Sequence, residues 1–322
     1  MALQETHLTD ENIEQINRLF GRRLLVFNSS DAECPGASAG IAFVLNREIT
    51  DTSSLSFHEL IPGRAITLTT KWHNSEKMTI LNVYAPNDYA AHPNFWKTIG
   101  DKCRTLSIRR PDLMMGDFNI VEEALDRAPA RLDDPTATTA LQDLRTALQL
   151  DDTWRQAFPT TRMFTFRTHN QMKSRLDRIY SSPQHEGNLF EWETGPSTVP
   201  TDHSMVSVRF APINAPQVGQ GRWTWPLGLV NDETLLNSVE TLGLTLQTQI
   251  QAQGAGTNPD KDPQVLWDNF KKEIRKVAKK HAKVNLNKIN QRIKTLKADI
   301  AETANNPEVD SSEDVRAQEA IL

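Results

Sequence analysis

Asp117 and Asn119 stand two residues apart, directly after Leu113-Met114-Met115-Gly116. The apolar Leu-Met-Met that follows Asp112 has the character of a short buried strand ending at its carboxyl side, and Gly116 permits a sharp turn. Side chains two apart in an extended or turn backbone point the same way. A carboxylate and an amide so placed can hold a divalent cation and a phosphate oxygen together, and oxygen donors suit Mg²⁺ or Mn²⁺ better than zinc. The same pair fits a plain turn, because Asp and Asn bond to their own backbone. Four other segments bear on this choice. Glu5 sits at the carboxyl end of a strand just before a helix, where ligand sites collect in layered α/β folds, or it is an ordinary surface glutamate. Tyr84 ends another strand at Tyr84-Ala85-Pro86-Asn87, its hydroxyl free to reach a phosphate or packed as a rim residue. Asp177, on a strand face, needs a partner because burying it unpaired is costly. Thr201-Asp202-His203-Ser204 can supply one. A His backed by a carboxylate is the arrangement of a base or a phosphate-polarising acid, although the bare dipeptide Asp-His means little.

The elements that must position these residues are legible in the pattern. Thr9 is a plausible N-cap with Asp10 and Glu11 in the first turn and a Leu8/Ile13 staple. Ile13, Ile16, Leu19 and Phe20 then make one helical face. Strands are expected over Leu24–Asn28, Gly40–Asn46, Ala65–Trp72 and Met78–Tyr84, the last stopped by Pro86. Pro93 opens a helix over Asn94–Arg110, and after the central strand a loop at 122–135 leads to a helix over Ala137–Leu150. Two alternating strands, Arg162–Thr168 and Ser174–Tyr180, flank a five-residue loop at 169–173, and a final strand covers Met205–Phe210. Beyond Phe210 the composition changes. Pro212–Gly221 has the character of a linker, Arg222-Trp223-Thr224-Trp225-Pro226-Leu227 follows, and a helix is expected over Asp232–Thr248. A second loop at 254–263 precedes a long helical pattern through Ile300. Between Lys261 and Ile300 there are 12 Lys/Arg against 4 Asp/Glu. Such a basic amphipathic helix can touch nucleic acid, a membrane surface or a partner helix, or simply be a solvated helix. The polar stretch from 301 is expected to be a disordered tail.

The totals exclude some classes. At 322 residues, 38% hydrophobic and 24% charged, the chain suits one large or two smaller globular domains. A formal net charge of -5 argues against coating nucleic acid by bulk electrostatics but leaves room for a local basic groove. Cys34 and Cys103 are too few for a disulfide framework, which favours a reduced intracellular compartment over secretion. No apolar run approaches the roughly 18 residues of a membrane span, and no secretory signal opens the chain.

Taken together and in order, Gln4-Glu5-Thr6, Tyr84-Ala85-Pro86-Asn87, Gly116-Asp117-Phe118-Asn119, Arg175-Leu176-Asp177-Arg178 and Asp202-His203 resemble the endonuclease/exonuclease/phosphatase superfamily, the DNase I-like fold. Leu3-Gln4-Glu5-Thr6-His7 and Ser174-Arg175-Leu176-Asp177-Arg178-Ile179-Tyr180 look most like the apurinic-type endonuclease domain of non-LTR (LINE-type) retrotransposons. Trp223 and Trp225 with the basic helix resemble the connector that follows it in those polyproteins. The resemblance implies an α+β fold, a four-layer α/β-sandwich of two packed mixed β-sheets flanked by helices, over 1–211, then a linker with a helix over 212–262, the basic helix over 263–300 and the tail over 301–322. It implies Glu5 as metal-binding glutamate, Tyr84 on the scissile phosphate, Asp117 as the residue that orients or deprotonates the attacking water, and Asn119 holding the phosphate. Asp177 would pair with His203, which also binds phosphate, and Asp202 would be a metal-site or phosphate-side carboxylate. Mg²⁺ or Mn²⁺, a DNA substrate (or RNA), a possible helix partner through 263–300, no membrane and a nuclear location are the corresponding expectations. The family pattern begins with an Asn-bearing strand that has no counterpart before Met1-Ala2-Leu3, so fraying around Glu5, an open sheet edge and weakened activity are expected. A phosphatase or RNA nuclease on the same fold, and an inactive fragment that only binds nucleic acid or protein, are the competing functions.

Overall fold

The computed structural model describes residues 1–72, 76–212, 223–252 and 262–321; the linker after Pro212 and nearly all of the second expected loop lie outside the described residues. The first half of the chain builds the frame: β1 (Ala2–Gln4), α1 (Asp10–Phe20), β2 (Leu24–Ser29), β3 (Ile41–Asn46), β4 (Ser56–Ile61), β5 (Ala65–Lys71), β6 (Lys77–Tyr84), α2 (His92–Thr105) and β7 (Leu113–Asp117). Then follow β8 (Arg127–Ala128), α3 (Pro135–Leu148), α4 (Thr153–Ala157), β9 (Phe166–Arg167), β10 (Lys173–Ser174), β11 (Asp177–Ser181), β12 (Leu189–Pro196) and β13 (Ser204–Phe210). An antiparallel triplet in the order β1-β3-β2 packs on a five-stranded sheet in the order β11-β7-β6-β5-β4, in which only β6 and β7 run parallel. Strands β8-β10-β9 and the β12-β13 hairpin form two smaller sheets.

Strand β6 shows why the sandwich forms. Leu81 and Val83 join Phe95, Trp96, Ile99, Met114, Leu141 and Leu144 in the core under α2 and α3. The alternate residues Ile80 and Tyr84 join Ile41, Phe43, Ile66 and Leu68 in the core between the sheets. A strand covered on both faces must be apolar on both. Fully buried Asn82, a polar residue in this setting, is satisfied across the sandwich. Its Nδ2 donates to the carbonyls of Leu3 (3.3 Å) and Ala42 (3.1 Å), and its Oδ1 accepts from Gln4 Nε2 at 2.6 Å. These bonds, with the Met1 amino group on the Val44 carbonyl at 2.9 Å, tie β1 to both sheets immediately before Glu5.

Three expectations are corrected. The strand expected over Ser174–Tyr180 is two strands in different sheets, because the Arg175 guanidinium is drawn onto Asp126 and Asp152 while the Leu176 carbonyl accepts from the Phe118 N–H. Strands β4 and β12, polar along much of their length, were not foreseen. The stretch from 301 is no disordered tail: after Ala304 the chain makes a 3-10 turn at Pro307–Asp310 and then a helix at Glu313–Ile321. Val309 and Val315 are buried with Ala128 and Phe164, an anchor too sparse to stand out in a polar composition.

The chain divides into two compact units, one of residues 1–215 with 301–322, the other of 216–300. The second is built on α5 (Glu233–Gln251) and α6 (Pro263–Ala304), with α7 (Glu313–Ile321) belonging to the first. Within it, Leu229, Leu235 and Ala278 form a small core with Trp223 and Val239, while the Lys279 ammonium lies 5.6 Å from the Trp223 ring.

Candidate active site

Register brings the expected residues together. In the five-stranded sheet Asp177 of β11 pairs with Asp117 of β7, and Asp117 pairs with Tyr84 of β6. Directly paired residues project from the same face, so the three strand ends present a row Asp177–Asp117–Tyr84. Both ends of this row are extended. The Tyr84 hydroxyl donates to the carboxylate of Glu5, the residue after β1, which adopts the left-handed region at φ 52°. At the other end His203 Nδ1 lies 2.8 Å from Asp177 Oδ2.

Close strand approach requires Gly116. Its φ is +140°, and a Cβ there would stand 1.9 Å from the Val83 carbonyl oxygen. Asn119, also left-handed at φ 51°, donates its N–H to Asp117 Oδ1 at 2.9 Å. Its side-chain amide donates to Ala85 O and Asn87 Oδ1, both at 2.9 Å, so it ties the loop after β6 to the loop after β7. Asp202 lies beside His203, on which its charge acts; its carbonyl accepts from the Arg167 N–H at 3.1 Å while its carboxylate is exposed.

Proton affinities follow from this crowding. Burial and the Asp177 charge push the Asp117 carboxyl up to about 7, against the opposing pull of His203 and the Asn119 N–H. Burial alone would discharge His203, but its hydrogen bond to Asp177 and the charges of Asp177, Asp117 and Asp202 raise it to about 9. Burial and the bond to Glu5 hold the Tyr84 proton well above a phenol's ordinary range. At neutral pH the row therefore offers an imidazolium and a phenol as donors on either side of a carboxyl group poised near neutrality.

Among the described residues no group of three or more His, Cys, Asp or Glu forms a metal cage. The donor set does fit a hard cation held by one or two carboxylates and water, the usual manner of Mg²⁺. Glu5 is exposed, bonded to Tyr84 through one oxygen, and offers the other.

Three supporting residues went unnoticed in the sequence. Thr165 Oγ1 accepts the N–H groups of Leu176 (3.0 Å) and Asp177 (2.9 Å), the Phe166 ring lies 4.8 Å from the His203 ring, and the Arg64 guanidinium covers Tyr84 at 4.8 Å. Thr165 and Phe166 looked like ordinary members of an alternating strand, and Arg64 follows a turn glycine with nothing to mark it.

Comparison with known proteins bears on the fold and the family. Over 247 residues the chain is 28% identical to the "Transposon TX1 uncharacterized 149 kDa protein" of Xenopus laevis; the match spans 74% of this chain and 18% of that protein, so the chain covers less than a fifth of its relative. The AP endonuclease LMAP from Leishmania major superposes with a TM-score of 0.53 at 15% identity, covering 66% of this chain and 78% of that one. The 3'-5' exonuclease NExo from Neisseria meningitidis gives 0.52 at 19% identity, with 65% and 88% covered. These two likenesses establish the fold. The Endonuclease/Exonuclease/phosphatase family pattern matches residues 1–203, and with that the chain belongs to the endonuclease/exonuclease/phosphatase family.

Proposed function

We propose that the chain is a divalent-metal-dependent DNA endonuclease that nicks one strand by hydrolysing a phosphodiester. The carrying observation is the in-register row Asp177–Asp117–Tyr84 with His203 bonded at one end and Glu5 at the other. The choice of DNA, and of the nucleus as the place of work, rests on the resemblance to retrotransposon endonuclease domains and on the match to a transposon product.

In this reading Asp117, with a proton affinity near neutrality, orients the attacking water and accepts its proton, as an efficient general base does. His203, kept protonated by Asp177, donates to a non-bridging phosphate oxygen, and Tyr84 exchanges its bond to Glu5 for one to a second phosphate oxygen. Asp177 holds His203 in place before the reaction begins, so that its proton meets the negative charge that grows in the transition state. Asn119 exchanges its bond to Asn87 for a phosphate oxygen. Glu5 would hold Mg²⁺ or Mn²⁺, with Asp202 as a carboxylate on the phosphate side. When bound, the cation supplies Lewis-acid neutralisation of charge on the phosphate and the leaving oxygen.

The test is a substrate panel in Mg²⁺ or Mn²⁺: supercoiled plasmid, single-stranded RNA and a duplex carrying a 3'-phosphate. Nicking of the plasmid in preference to the other two, abolished by EDTA, is expected. Preferential turnover of the RNA or of the 3'-phosphate would replace the endonuclease reading with a nuclease or phosphatase on the same fold.

A further inference from the structure

The two-residue strand β9 carries both halves of the His203–Asp177 pair. Thr165, just before it, holds the Asp177 N–H with its hydroxyl and accepts the Ser204 N–H with its carbonyl at 2.6 Å, while the Arg167 N–H binds the Asp202 carbonyl at 3.1 Å. Phe166 pairs with His203 as a bridge and lies against its ring. A strand this short is marginal on its own, and its upstream side has unusual support. The Arg162 N–H bonds to the side chain of Asn305 at 2.9 Å instead of to another strand. The Arg162 guanidinium forms a two-pronged pair with Asp310, at 2.9 and 2.6 Å, and Asp310 also accepts the Ala130 N–H at 2.8 Å. Val309 and Val315 close over Phe164 and Ala128. Ala128 pairs with Lys173 of β10, which pairs in turn with Arg167 of β9, so the same C-terminal segment holds edge strand β8 and the stretch that leads into edge strand β9.

We infer that residues 305–316 are a clasp that positions the His203–Asp177 pair through β9, and that Arg162 and Asp310 are positioning residues of the site. The two-pronged pair is half-buried: the Arg162 side chain is 15% exposed and that of Asp310 37%. Such a charge-assisted fork fixes geometry better than a flexible surface ion pair. Only Met163 and Phe164 separate Arg162 from Thr165, a span of at most roughly 10 Å, which leaves little chain to absorb a shift. The kinetic consequence rests on the endonuclease reading of His203; the structural one does not.

The test uses the full chain with Asp310→Ala, Arg162→Ala, the double substitution and Arg162→Lys. The first readout is hydrogen exchange of the His203 Nδ1–H followed by NMR, assigned with His203→Gln. Each alanine variant is expected to exchange about tenfold faster, as a locally opened segment does. Plasmid nicking is expected to lose about tenfold in kcat with KM within about twofold, the signature of misplacement without lost binding. The double variant should be no worse than either single one, Arg162→Lys should retain most of the rate, and Arg209→Ala, which breaks an exposed pair with Glu191, should change neither readout. Exchange within about twofold of the unaltered chain in both alanine variants would overturn the clasp. If Asp310→Ala does not fold, the milder Val315→Ala is decided by the same exchange criterion. If the unaltered chain does not nick, the endonuclease reading fails while the exchange measurement still decides the clasp.

Discussion

His203 carries the sharpest consequence of the local electrostatics. Its proton affinity is raised from an ordinary 6.5 to about 9, so the folded chain favours the imidazolium. The stabilisation is complete below pH 6.5 and disappears as pH rises through about 9. Thermal melting between pH 6 and 10 should therefore show a loss of stability on the alkaline side that is missing in His203→Gln. Parallel curves for the two proteins would contradict the charged pair. The candidate site residues were legible individually because each lies in or beside a strand and its type suits phosphate chemistry. That Asp177 would meet His203, 26 positions away, came from the need of a part-buried carboxylate for a partner and from the family resemblance. Thr165, Phe166 and Arg64 escaped because a hydroxyl holding backbone, a ring packing an imidazole and a cation over a phenol leave no periodic trace in sequence.

At the scale of elements, the site depends on how closely β7 approaches β6. Gly116→Ala places a Cβ against the Val83 carbonyl and strains a backbone at φ +140°. Strain and overpacking together should cost roughly 3 kcal/mol or more, read as a lower urea midpoint, with nicking lost because Asp117 moves relative to Tyr84. A loss under about 1 kcal/mol would show that β7 is not pinned there. Most strands and the helices α1, α2 and α3 followed from periodicity, since apolar spacing, caps and prolines act locally. The break between β10 and β11 did not. It arises from the buried Arg175 guanidinium on Asp126 and Asp152, with Arg155 on Asp126 as well. An ionic network assembled from residues tens of positions apart overrides an alternation that favours one continuous strand.

At the scale of the whole molecule, the family match over 1–203 covers most of the first unit, while the second unit lies beyond that family match. Among the described residues no helix is long and apolar enough to cross a membrane. The return of residues 301–322 to the first unit was invisible in a polar sequence, since two buried valines and one ion pair hold it. If Glu5, Tyr84, Asp117, Asp177 and His203, gathered at strand ends from three sheets, form a phosphodiester-cleaving site, the nicking rate of supercoiled plasmid in Mg²⁺ will distinguish the unaltered chain from His203→Ala and Asp117→Asn. Nicking by the unaltered chain, slowed by a factor of about 100 or more in each variant, is the result predicted here. Equal rates in all three proteins, or nicking that survives EDTA, would contradict it.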